Sequence, residues 1–230
     1  MTTLACFAAV VRDDRLAERL QELRRDYPCN RSGGAADPDT VRQRLKAGPP
    51  FKAVLVTHNE TSTGVTNDLK AIAAAVKETD SLLLVDAVSS LGCTELATDA
   101  WGCDIVATGS QKGLMTPPGL AVVSVSAKAW QAHAQAKMPR WYWDFSKCKS
   151  MLEKGQTPWT PAESTYYALA ASVDLMVKEG LPNIMARHQR LARFTRQGIK
   201  GLGLRVFGDE AHASAAVTAV KGPEALDVKK

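Results

Sequence analysis

The chain has 230 residues, 45% of them apolar and 23% charged, a balance that describes a soluble globular protein and excludes a disordered or fibrous one. The formal charge is +5, but basic residues sit among acidic ones, as in Glu22-Leu23-Arg24-Arg25-Asp26, so the clustered basic stripe of a nucleic-acid binder is missing. No stretch approaches the roughly 20 apolar residues of a membrane span, and Met1-Thr2-Thr3-Leu4-Ala5-Cys6 lacks the start of a signal peptide; the chain reads as soluble and intracellular.

Leu16, Leu20 and Leu23 fall at i, i+4 and i+7 and predict an amphipathic helix over 15–25. A Gly/Ser/Asn/Pro-rich stretch, 28–38, leads to a helix opening near Asp37-Pro38, where proline is tolerated in a first turn, and Pro49-Pro50 ends it. From Phe51 the pattern changes to short apolar runs at 53–56, 82–85, 105–107 and 120–125, which suit strands buried on both faces. Between the first two, 67–77 predicts a helix with Asn67 or Thr66 as its cap and Leu69, Ile72 and Val76 inward. Strand, helix, strand at this spacing is a βαβ unit. The expected fold is therefore α/β, a mostly parallel sheet sandwiched by helices.

Beyond Leu120, Trp141, Tyr142, Trp143, Phe145 and Trp159 mark a structured excursion rich in aromatics. Residues 164–179 and 182–200 read as two helices, punctuated by Gly180 and by Pro182 in a first turn. Alternation at Leu202, Leu204 and Val206 and at Ala215, Val217 and Ala219 predicts two strands of a different unit, which has barely begun when the chain stops at Lys230.

Three polar constellations follow predicted strands. Asp86, in Val85-Asp86-Ala87-Val88-Ser89-Ser90, ends a buried strand, where open α/β sheets bind ligands; it either meets a ligand or caps the next turn. Lys112, in Thr108-Gly109-Ser110-Gln111-Lys112-Gly113-Leu114, is either an amine nucleophile approached closely through its flanking glycines or an ordinary lysine in a turn. The run His58-Asn59-Glu60-Thr61-Ser62-Thr63-Gly64 offers hydroxyls and an amide to a polar ligand, or forms a capping loop with His58 a structural histidine. Five widely spaced cysteines, Cys6, Cys29, Cys93, Cys103 and Cys148, include no Cys-x-x-Cys pair and argue against a disulfide framework or a structural metal.

Together these stretches, with Asp99-Ala100-Trp101-Gly102-Cys103-Asp104, Pro117-Pro118-Gly119-Leu120, Tyr142-Trp143-Asp144 and Ala186-Arg187-His188-Gln189-Arg190-Leu191, resemble the class V aminotransferases that use pyridoxal phosphate. The similarity runs from about Arg15 onward and is strongest to the serine–glyoxylate and alanine–glyoxylate group, which includes photorespiratory peroxisomal members. The resemblance implies that Lys112 holds the cofactor as an aldimine and then shuttles a proton at the substrate's α-carbon. Asp86 would face the pyridine nitrogen and keep it protonated, which makes the ring an electron sink. Thr61 and Gln111 would hydrogen-bond the ring or its substituents, Ser110 would meet the phosphate, and Val88 would pack on one ring face. Thr160 resembles the residue that reaches a neighbouring subunit's phosphate, which implies a homodimer; Gln156 stands where the family often has tyrosine.

The same resemblance implies a partial large domain over 1–165, connecting helices over 166–201 and the start of a small C-terminal domain over 202–230. Segments that in the family bring a phosphate-cradling glycine turn and a carboxylate-binding arginine would lie outside this chain. The expected substrates are an amino acid, serine or alanine, and the 2-oxo acid glyoxylate. The alternative is a truncated, catalytically impaired relative with a structural or interaction role, or a partial gene product. A cysteine desulfurase-type lyase of the same fold usually carries histidine before the lysine, and Gln111 argues against it. Val228-Lys229-Lys230 carries no Ser-Lys-Leu address, so the compartment is left as peroxisomal or cytoplasmic.

Overall fold

The computed structural model describes residues 33–223; the helix expected at 15–25, Cys6 and Cys29 lie outside the described residues. The first element, α1 (Pro38–Lys46), opens as its sequence dictates, because the Asp37 carboxylate accepts hydrogen bonds from the amides of Asp39 and Thr40 while Pro38 occupies the first turn. The β-branched and leucine-rich runs then form β1 (Ala53–Thr57), a short hairpin of β2 (Asn59–Glu60) and β3 (Val65–Thr66), and, after α2 (Leu69–Val76), β4 (Leu82–Asp86). A one-turn helix, α3 (Thr98–Trp101), precedes β5 (Ile105–Gly109) and β6 (Ala121–Val125).

Strand order in the main sheet is β1-β4-β5-β6. The β1–β4 and β4–β5 pairs are parallel and β5–β6 is antiparallel, so the sheet is mostly parallel as expected for an α/β fold. One face is covered: Val54, Val56, Leu83, Val85 and Val106 form the core with Leu69, Ile72, Ala73 and Val76 of α2. Leu69 and Ile72 are each 1% exposed, the direct outcome of their helical spacing.

Three expectations need correction. The cap of α2 is Asp68, which accepts from the Ala71 amide; Asn67 instead bridges the Thr57 carbonyl and the Ala36 amide. The runs are not buried on both faces, for Leu55 and Val122 are 55% and 43% exposed, and β6 is open along almost its whole length. Continuous apolarity therefore marked the strands but not their cover. Of the last two strands, β7 (Arg205–Val206) keeps only the end of its expected run, and the run at 215–219 is not extended, β8 (Val220–Lys221) beginning after it, because the Ser214 hydroxyl accepts from the amides of Ala216 and Val217 and turns the chain there.

After β6 come α4 (Ala127–Gln135), α5 (Phe145–Leu152), α6 (Glu163–Glu179) and α7 (Leu181–Gly201). The aromatic excursion is structured: Tyr142 stacks on Trp159 at 5.0 Å and Lys147 Nζ lies 3.8 Å from the Trp159 ring centre. Gly180 separates α6 from α7, and Arg187 clamps across it by a two-pronged ion pair to Glu179 at 2.6 and 3.0 Å. The C-terminal stretch returns to the β2–β3 hairpin through an Ala213–Val65 bridge and a Ser214 amide bond to the Gly64 carbonyl. No helix among the described residues is long and apolar enough to cross a membrane.

Candidate active site

The sheet register sets Thr57, Asp86 and Ala107 abreast on β1, β4 and β5, so the loops that follow all leave from one carboxyl edge. Asp86 is half-buried at the end of β4. Its Oδ1 accepts from the Val88 amide at 2.9 Å and its main-chain oxygen accepts from the His58 amide at 2.9 Å. The carboxylate thus caps its own turn, which fixes its direction, and Val88 is held beside it.

Lys112 sits on a loop closed at several points. The Ser110 amide donates to the Leu120 carbonyl, the Thr116 amide and hydroxyl both donate to the Ser110 carbonyl, and the Met115 amide donates to the Lys112 carbonyl. Beneath the loop Leu114 packs with Met176 and Ile184, and the buried Ser172 hydroxyl of α6 donates to the Leu114 carbonyl at 2.5 Å. Met115 is held at φ 55, a left-handed conformation a non-glycine residue adopts at a cost. At the tip Lys112 and Gln111 are exposed, and the Lys112 ammonium makes no hydrogen bond or ion pair to another described residue. A rigid base therefore carries an accessible amine. Ser110 is fully buried, and its hydroxyl donates to the Pro117 carbonyl at 2.7 Å.

Thr61, at the tip of the hairpin, joins the Asp86 turn through Ser89, to whose Oγ its hydroxyl is bonded at 3.1 Å; Asn59 bonds the same serine twice. His58 is 2% exposed, its ring edge packs on Trp101, and burial pushes its pKa down to about 4, so it is a neutral ring. Thr160 is exposed in the turn before α6, at the end of the aromatic segment. Lys112, Gln111, Asp86, Val88 and Thr61 thus lie on loops of one edge, Ser110 lies beneath it, and Thr160 stands on a separate segment. Sequence reasoning gave no role to Ser89, Ser172 or the packing of Gly113. The first two pair with residues distant in the chain, and no local pattern carries that signal.

The chemistry of this edge is specific. It offers a primary amine for a carbonyl carbon, a carboxylate for a basic nitrogen, and an amide and a hydroxyl for polar substituents. That donor set fits an aldehyde-bearing pyridine.

Comparison with known proteins identifies the family. The family model described as aminotransferase class-V matches residues 14–229. The chain is 48% identical over 194 residues to the soluble hydrogenase 42 kDa subunit of Anabaena cylindrica, covering 83% of this chain and 51% of that one. It is 40% identical over 181 residues to serine–glyoxylate aminotransferase of Arabidopsis thaliana, covering 77% and 45%. Among solved structures, pyridoxamine-pyruvate aminotransferase from Mesorhizobium loti superposes with a TM-score of 0.82 at 34% identity, over 86% of this chain and 51% of that one. The chain spans about half the length of the curated relatives it matches.

Proposed function

The chain belongs to the class-V aminotransferase family, and from that premise we propose that it carries the lysine side of a pyridoxal-phosphate site serving amino transfer from serine or alanine to glyoxylate. The observation that carries this reading is the Lys112 amine held clear on a braced loop against the turn of Asp86. When bound, pyridoxal phosphate supplies an electron-accepting ring for chemistry at an amino acid's α-carbon. Lys112 Nζ would hold the group at its aldehyde carbon, with the carbonyl oxygen leaving as water, and once freed by the incoming amine would move a proton from the substrate's α-carbon to that former aldehyde carbon. The Asp86 carboxylate would hold the proton on the ring nitrogen, aimed by its bond to the Val88 amide. Thr61 and Gln111 would hold the polar substituents, and Val88 would cover one face. Gly109 leaves room for Gln111, since a β-carbon there would stand 2.6 Å from the amide oxygen. Ser110 would hold the phosphate end after giving up its bond to Pro117, and Thr160 would hold the phosphate of a second copy in a homodimer.

A second reading, a relative without turnover, is favoured by one observation: the Ser110 hydroxyl is turned inward on the Pro117 carbonyl. One experiment separates the two. The purified chain is mixed with pyridoxal phosphate, its visible absorbance recorded, and the mixture reduced with borohydride and peptide-mapped. A label on the Lys112 peptide that Lys112→Ala abolishes supports the first reading. A folded chain with no visible band supports the second, and a label retained by Lys112→Ala refutes the lysine assignment.

A further inference from the structure

Ser89 Oγ has one proton and two lone pairs, and all three are assigned. The proton goes to the main-chain oxygen of Asn59 at 2.8 Å, because a carbonyl only accepts. One lone pair takes Asn59 Nδ2–H at 3.0 Å and the other takes the Thr61 hydroxyl at 3.1 Å. Turning the Asn59 amide the other way would set its Oδ1 against Ser89 Oγ, whose one proton is already spent, and so lose one bond; as placed, Oδ1 accepts from the Thr66 hydroxyl at 2.7 Å. The single hydroxyl proton of Thr61 is therefore spent on Ser89. Ser89 is 9% exposed while Thr61 is open to solvent, so Thr61 turns only lone pairs outward.

We propose that Ser89 is a positioning residue that holds Thr61 as an acceptor-only group, so that this edge selects a ligand substituent bearing a hydrogen at that point. The inference rests on the proposed function for the identity of the ligand, but the hydrogen-bond accounting stands without it. An acceptor at this place favours the protonated form of the group facing it, whether that hydrogen is borne by oxygen or nitrogen. Releasing Thr61 from Ser89 restores its ability to donate and reverses the preference.

The test uses the parent chain, Ser89→Ala, and Ser89→Thr, which keeps a hydroxyl. In the cofactor-free chain, amide hydrogen exchange over 59–66 should rise at least about threefold in Ser89→Ala and return toward the parent in Ser89→Thr. With pyridoxal phosphate bound, the pH midpoint of its visible band should fall by about one unit in Ser89→Ala and recover in Ser89→Thr, the size one hydrogen bond gives. A loosened hairpin without pH dependence would leave that midpoint in place and overturn the acceptor role, as would an upward shift. Unchanged exchange overturns the positioning role outright. A parent chain that takes up no pyridoxal phosphate overturns the proposed function and the acceptor role together, while the exchange arm still decides whether Ser89 holds the hairpin.

Discussion

Gly113 lies so close to Leu91 that a β-carbon on the glycine would overlap the leucine carbonyl oxygen and stand 3.1 Å from Cys93 Sγ. Gly113 follows Lys112 and Leu91 follows Asp86 by five residues, so the turns that carry Lys112 and Asp86 rest backbone on backbone. Gly92 completes the contact: its φ is +80, and a β-carbon there would meet the Gly113 carbonyl at 3.1 Å. The glycine beside the lysine is thus used for close approach between two segments of the protein.

Gly113→Ala should therefore cost about 1–3 kcal/mol of stability, the range for forcing a methyl into a filled space. It should also separate the lysine turn from the aspartate turn. Urea unfolding checks the first effect and borohydride trapping on the Lys112 peptide the second. A variant as stable as the parent would mean the two turns part easily and do not position one another.

Much of this arrangement was legible in the sequence. The apolar runs at 53–56, 82–85 and 105–107 and the spacing of Leu69, Ile72 and Val76 identified the parallel strands and the helix between them, because short apolar runs mark strands and the helical period marks the buried face of α2. The edge bearing Asp86 and Lys112 followed from the topology of parallel strands. What stayed hidden were contacts that loops make with distant parts of the chain, such as Ser172 of α6 on the Leu114 carbonyl and Ser89 on Thr61, which depend on three-dimensional pairing and leave no periodic trace. The exposed β6 was hidden for a related reason, since apolarity tells that a residue favours cover and not where the cover lies.

His58 gives a pH dependence with a definite sign. Burial holds its folded pKa near 4 against an ordinary 6.5, and its Nδ1 is buried without a hydrogen-bond partner. Between those values the unfolded chain binds the proton and the folded chain does not, so stability rises with pH across that window. The full contribution is present above 6.5 and about 3 kcal/mol is lost as pH falls toward 4. His188, lowered chiefly by burial, adds a part of the same sign. His58→Phe keeps a ring against Trp101 and should remove most of the slope, measured as the difference in urea midpoint between pH 4.5 and 7. An unaltered slope in this variant would assign the acid sensitivity elsewhere.

Asp86→Asn isolates charge from shape. An asparagine oxygen can still accept from the Val88 amide, so the turn and cofactor uptake should survive. Under the proposed function the lost negative charge is the one that would keep the ring nitrogen protonated, and turnover should drop at least about a hundredfold, the usual loss for one aligned electrostatic group. The check compares label on the Lys112 peptide, expected unchanged, with the rate of amino transfer. Equal turnover in variant and parent would remove Asp86 from the chemistry.

Gly64 tests how the C-terminal segment grips the hairpin that carries Thr61. Its φ is +68, and a β-carbon would stand 2.9 Å from the Ala219 amide nitrogen and 3.3 Å from the Val217 carbonyl. Its own carbonyl accepts from the Ser214 amide, and Ser214 is held in turn by Arg196 of α7 through its carbonyl. Gly64→Ala therefore meets left-handed strain and a backbone clash at once, and should cost about 2–4 kcal/mol. Gly198→Ala is the contrasting control: this glycine lies in α7 with nothing within 4 Å of its added methyl, so the substitution should stabilise by about 0.5–1 kcal/mol. Limited proteolysis locates the damage, which should appear as new cleavage over 213–220 in Gly64→Ala and not in Gly198→Ala. Cleavage elsewhere, with 213–220 still protected, would show that the segment holds its place without the hairpin and that Thr61 is braced from the Ser89 side alone.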